Sequence, residues 1–351
     1  MRSTRVKRLL RVIIFLIIFA VMFYNVHGVL GIRSTNGSVE RINTFYEQPE
    51  NSLDVVFVGA SGLYRYWSTV NAWHDNGITS YLWSTPAQPA TAAKYIMIDV
   101  LKTQSPKLFV IDARLFRGSL REISEGHIRH VTDNMPYSQN RIDAIDAMLD
   151  NSKLSESANR WEYYYFGFSL YHSRWEEGLS PRDFTEKQSK TQGTLVDRHT
   201  FRVTKLEALS EPTDATAPVE PGMKEILDDL CSFCKDNNIP VLFITTPFNV
   251  TLEHRMKLND VERIVTESGL KYIDFNDYFD EIGLDYTTDF YNDGHTNYSG
   301  MYKFTKYFSG YLTDNYTLSD YRSDPEYAYW DDAYIEYRRT FVELREFYET
   351  Q

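Results

Sequence analysis

Unbroken apolar runs that alternate with helix-patterned stretches constrain this chain more than any other feature. A strand is expected over Leu53–Val58, another at Leu108-Phe-Val-Ile-Asp112 and a third at Val241-Leu-Phe-Ile-Thr-Thr246. Such runs lack the in-out alternation of half-solvated strands and suit a sheet covered on both faces. Ile78–Trp83 reads as a short strand, and Tyr272–Phe275 as another. Between them, Ala93, Ile96, Met97, Val100 and Leu101 repeat at helical spacing over Ala90–Thr103, and Ser105-Pro106 ends that helix. Helices at 222–236 and Val250–Ser268 continue the rhythm. The alternation predicts an α/β fold, a parallel sheet sandwiched by helices.

The N-terminus carries a different signal. Arg2, Arg5, Lys7, Arg8 and Arg11 stand before an apolar stretch running from Val12 to about Tyr24. Extended over Leu9–Leu30, it reaches the roughly 20 residues a membrane-spanning helix needs. No small-x-small cleavage signal follows it, so an anchor is expected rather than a cleaved leader. The basic flank predicts a single pass with the N-terminus cytoplasmic and the body extracytoplasmic.

The expected organisation is therefore a basic segment and anchor at 1–30, a polar stalk at 31–50, one domain at 51–313 and a C-terminal helical extension at 314–351. An insertion at about 115–220 interrupts the α/β rhythm, as a lid or substrate wall. It holds a helix near 138–151, an aromatic cluster from Trp161 to Trp175, and a polar stretch from Ser180 to Pro221 that needs no regular structure. Carbohydrate-binding walls use such rings, core packing or membrane-proximal association explains them equally well, and packing is the favoured reading.

A formal net charge of -12, with no basic stripe, excludes nucleic acid as a partner. The two cysteines, Cys231 and Cys234, fall on the apolar face of a helix and are expected to pack in the core rather than form a redox pair. His127, His130 and Asp133 have helical spacing, but no dense ligand cluster accompanies them, and no metal or cofactor is expected.

Two motifs carry chemistry. The first strand ends in Val58-Gly59-Ala60-Ser61, which puts a serine at a strand-to-helix turn, the position of a nucleophile or of a plain helix cap. Near the other end, Asp289-Phe-Tyr-Asn-Asp-Gly-His295-Thr-Asn-Tyr-Ser-Gly300 is a loop before a helix, and its histidine could face that serine. A Gly-x-Ser-x-Gly elbow is ruled out by Leu63.

The pairing of Val-Phe-Val-Gly-Ala-Ser61 with Asp289-Phe-Tyr-Asn-Asp-Gly-His295 resembles the SGNH/GDSL hydrolase superfamily, in particular its membrane-anchored bacterial members. The resemblance spans about 53–313 and implies a three-layer α/β/α sandwich of flavodoxin-like SGNH type. It implies that Ser61 is the nucleophile and His295 the base of an esterase or O-acyltransferase. The substrate class would be a cell-envelope polysaccharide or teichoic acid, with a membrane acyl-transfer protein as a possible partner.

The family's aspartate usually stands three residues before the histidine. Here that position is Asn292, which leaves Asp293, the favoured choice, and Asp289 as the acids. The family's oxyanion blocks are also altered: Ser84 stands for a glycine, and Arg114, in Asp112-Ala-Arg114, is the other candidate donor. The rival expectation is a catalytically weak or inactive scaffold in envelope assembly.

Overall fold

The computed structural model describes residues 2–30, 38–155, 157–184, 188–206 and 213–349. Its centre is a five-stranded, wholly parallel sheet: β1 (Val55–Gly59), β2 (Ser80–Ser84), β3 (Leu108–Asp112), β4 (Val241–Thr245) and β5 (Lys271–Asp274). The spatial order is β2-β1-β3-β4-β5. Each strand lies within one or two residues of where the apolar runs place it.

Alternation along each strand builds two cores. Val56, Val58, Phe109, Ile111, Val241 and Phe243 face one side, against helices Ala92–Val100 and Pro221–Asp236. Val55, Phe57, Leu108, Val110, Leu242 and Ile244 face the other, against Leu63, Trp67 and helix Tyr298–Asn315 through Phe304, Phe308 and Leu312. Burying each such side chain contributes roughly 1.5–3 kcal/mol. Cys231 and Cys234 belong to the first core, where burial pushes their thiols up to about 11 and about 12.

The described part of the expected stalk is structured. Helix Ser38–Tyr46 buries Val39, Ile42 and Phe45, and Arg41 reaches across to the Ser84 carbonyl at 3.0 Å. Its apolar residues recur every three positions, so one face docks even though the stretch is mixed in composition. Residues 31–37 lie outside the described residues, as do 185–187 and 207–212 of the polar stretch.

The C-terminal region is likewise part of the body. Helix Tyr329–Glu349 buries Trp330, Ala333 and Tyr337, and Trp73 donates to Asp331 at 2.9 Å. In the insertion, helix Gln139–Asn151 joins the first core through Ala144, Ile145 and Met148. At the N-terminus, helix Arg2–Leu30 contains one stretch, Arg5–Leu30, that is long and apolar enough to cross a membrane.

Candidate active site

The sheet order reverses direction between β1 and β3, and in open parallel sheets ligands bind beyond the strand ends at such a point. Ser61 opens the short helix Ser61–Tyr64 directly after β1, and no side chain caps that helix. Glycine is required at two positions beside it. A Cβ on Gly59 would lie 2.4 Å from the Asp112 Cβ, and one on Gly62 would lie 2.8 Å from Asp112 Oδ2. The serine turn is thus pressed against the end of β3.

His295 arrives on a two-stranded ribbon, β6 (Phe290–Asn292) and β7 (His295–Thr296), whose connection is Asp293-Gly294. Its Nε2 lies 2.7 Å from Ser61 Oγ. Its Nδ1 lies 2.9 Å from Asn292 Oδ1. The Gly294 N–H also donates to Asn292 Oδ1, at 2.9 Å, and only an oxygen can accept it. The carboxamide orientation is therefore fixed, and Nδ1 must carry the proton. That leaves the Nε2 lone pair for the serine hydroxyl.

The ring is held on its other sides as well. Tyr291 stacks on it at 5.4 Å, and Arg65 sits over Tyr291 while forming a two-pronged bond to Asp197 at 2.9 and 2.7 Å. Burial, then the charges of Arg114, Arg65, His199 and Arg117, lower the His295 pKa to about 3. The imidazole is neutral at physiological pH.

Neither aspartate expected beside His295 touches it. Asp293 sits at the tip of the ribbon and accepts from the Asn249 amide at 2.8 Å. In an antiparallel ribbon with a two-residue connection, the residues flanking that connection face each other, so Asn292 and not Asp293 meets His295. Asp289 is fully buried, bonded to Lys303 Nζ at 2.7 Å and to the Asp285 N–H at 2.8 Å. It holds the turn before β6.

Arg114 and Ser84 also part company. Arg114 lines the cleft with Ser61 and His295, donates to Thr246 Oγ1 and the Gly294 carbonyl at 3.1 Å each, and lies 4.3 Å over the Phe248 ring. Ser84 pairs with Gly59 in the sheet, is fully buried and is not among the cleft-lining residues. Ser84 therefore belongs to the sheet and not to the cleft wall.

Three residues that sequence reasoning left without a role stand out. Asp112, raised above the usual carboxylate range by burial, accepts from the Arg114 and Ala60 N–H groups at 3.0 and 3.4 Å and ties β3 to the serine turn. Thr246 accepts from Arg114 and donates to the Gly62 carbonyl at 2.9 Å, which links β4 to the same turn. Gln88 lines the cleft, is 4% exposed, and neither its oxygen nor its nitrogen has a hydrogen-bond partner. Ala87 before it has φ 45, a left-handed conformation held between Pro86 and Pro89.

The cleft has a volume of about 340 Å³, and the start of the insertion, including Arg117, Glu122 and His127, forms one wall. No ring from Trp161 to Trp175 lines it. His127 accepts from the Ser124 N–H as part of a helix cap, and among the described residues no group of three His, Cys, Asp or Glu is gathered for a metal. No protein-family model matches the chain, and no curated protein is significantly similar to it.

Proposed function

We propose that the chain is a serine-dependent esterase or O-acyltransferase of the SGNH type. The observation that carries this reading is the 2.7 Å contact between His295 Nε2 and Ser61 Oγ, with Nδ1 already committed to Asn292. The strand order and the cover on both faces of the sheet support a three-layer sandwich of that type.

In this reaction Ser61 Oγ attacks the acyl carbonyl while His295 Nε2 takes its proton. The carbonyl oxygen becomes an oxyanion, stabilised by the Arg114 guanidinium beside the serine turn. The imidazolium then protonates the departing alkoxide, which leaves an acyl-Ser61 ester. A water or a sugar hydroxyl, deprotonated by the same Nε2, attacks that ester and restores the serine.

The substrate class is an ester-linked acyl group on a cell-envelope polysaccharide or teichoic acid. A membrane protein that delivers the acyl group is the proposed partner. The apolar Arg5–Leu30 helix supports a single-pass anchor, with the basic N-terminus cytoplasmic and the body outside. A second reading, a weak or inactive scaffold, is favoured by one feature: the His295 partner is a neutral amide, which does not stabilise an imidazolium as a carboxylate does.

The two readings separate with p-nitrophenyl acetate and the full-length protein in detergent. Ester hydrolysis lost in Ser61→Ala supports the enzyme. Activity equal in both proteins, or absent from both, supports the scaffold.

A further inference from the structure

The aromatic cluster that the cleft does not use lies against the apolar N-terminal helix. It is built from three short helices, Trp161–Tyr165, Gly167–Tyr171 and Arg174–Glu177. Phe168 meets the Phe23 ring edge-on at 5.3 Å. Arg174 Nη1 donates to the Val29 carbonyl at 3.0 Å, one of the acceptors that a helix C-terminus leaves unpaired. Nearby, Tyr137 bonds His27 Nε2 at 2.9 Å.

These contacts set a depth. Phe23 precedes Leu30, the end of the helix, by seven residues, which is about 10 Å of helix. The lobe therefore reaches down beside the helix instead of stopping at its end. Interfacial segments bury their apolar face to about 5–10 Å, and aromatic residues concentrate at that level.

The lobe also exposes large rings: Trp161, which meets Tyr165 at 5.0 Å, is 52% exposed, Phe166 56%, Trp175 63% and Phe184 66%. A clustered group of large exposed aromatics marks an interaction surface. Its charges do not point to a nucleic acid or an anionic lipid. Arg160 pairs with Glu162, Arg174 with Asp183, and Glu176 and Glu177 add negative charge.

We propose that the lobe from Trp161 to Phe184 embeds its exposed rings in the headgroup–acyl boundary of the bilayer that Arg5–Leu30 crosses. It is a second, non-spanning membrane contact that holds the domain down against the surface. The attachment is apolar, so zwitterionic lipid suffices and salt does not weaken it. This inference rests on the spanning reading of Arg5–Leu30 and not on the proposed chemistry.

The tryptophans provide the test. Trp67, Trp73, Trp83 and Trp330 are fully buried, whereas Trp161 and Trp175 are exposed. The full-length protein is placed in phosphatidylcholine vesicles whose acyl chains carry bromine near the headgroup. The expected result is partial quenching of tryptophan emission, unchanged in high salt and lost in Trp161→Phe/Trp175→Phe. Wild-type emission that is insensitive to brominated lipid yet quenched by aqueous acrylamide overturns the proposal alone. Extraction of the wild type from vesicles at alkaline pH overturns the spanning reading, and the proposal with it.

Discussion

Asn292 and His295 face each other across the two-residue connection of the β6–β7 ribbon, and the Asn292 carboxamide oxygen accepts from Nδ1 at 2.9 Å. An asparagine can do this only because the Gly294 N–H holds the oxygen toward the ring. Where that orientation is not enforced, replacing a triad aspartate by asparagine costs about 10⁴ in rate through the wrong tautomer. Here Asn292→Ala is expected to slow acylation of Ser61 by about 100-fold or more, with the fold intact by circular dichroism. Asn292→Asp, which still accepts from Gly294, is expected to match or exceed the wild type.

The pH dependence follows from the same site. An ordinary imidazole loses its base form below about pH 6.5, but burial and neighbouring arginines hold His295 down to about 3. Acylation should keep its plateau as the pH falls through the ordinary imidazole range and decline only well below it. Stability has the opposite sensitivity. The unfolded chain takes up the proton first, so the His295 contribution is complete above about pH 6.5 and is lost as the pH falls toward about 3. Stopped-flow acylation and thermal melts across this window check both. An acylation midpoint near the ordinary imidazole value would count against the assigned environment.

The aspartates divide into a surface and a structural case. Asp293→Asn keeps the Asn249 contact available and should leave acylation within about twofold of wild type, since the carboxylate does not reach His295. Asp289→Ala removes a fully buried carboxylate that holds the Asp285 N–H and the partly exposed Lys303, and should cost about 1–3 kcal/mol in chemical denaturation.

Gln88 offers a test on stability. A buried amide with no partner costs the folded state about 1–3 kcal/mol, so Gln88→Leu should unfold at equal or higher denaturant than wild type. The same variant should react with p-nitrophenyl acetate within about twofold of wild type, since neither amide atom is solvent-accessible. A much larger loss would show that the amide shapes the serine cleft.

The sheet was legible because a doubly covered strand must be apolar at every position, as in Val55–Val58 and Leu108–Ile111. The motifs at Ser61 and His295 were legible because a parallel sheet exposes its strand ends on one edge. What was missed depends on pairing geometry. Asp-Gly flanked by Asn292 and His295 is itself a hairpin signal, and following it across the ribbon would have set Asn292 opposite the histidine ahead of Asp293. Helix Ser38–Tyr46 was hidden by the polar residues Glu40, Arg41, Asn43 and Thr44 interspersed along it, since Val39, Ile42 and Phe45 form a stripe only once the helix is drawn. Gln88 gives no sequence signal beyond its two flanking prolines, because an unmet hydrogen bond is a property of the fold.

The central claim, that His295 activates Ser61 for acyl transfer, is tested most directly by intact-mass analysis of the full-length protein after reaction with a fluorophosphonate. One adduct is expected on Ser61, none in Ser61→Ala, and labelling slowed by about 100-fold or more in His295→Ala. Labelling that persists in Ser61→Ala, or that proceeds at the wild-type rate in His295→Ala, would contradict it.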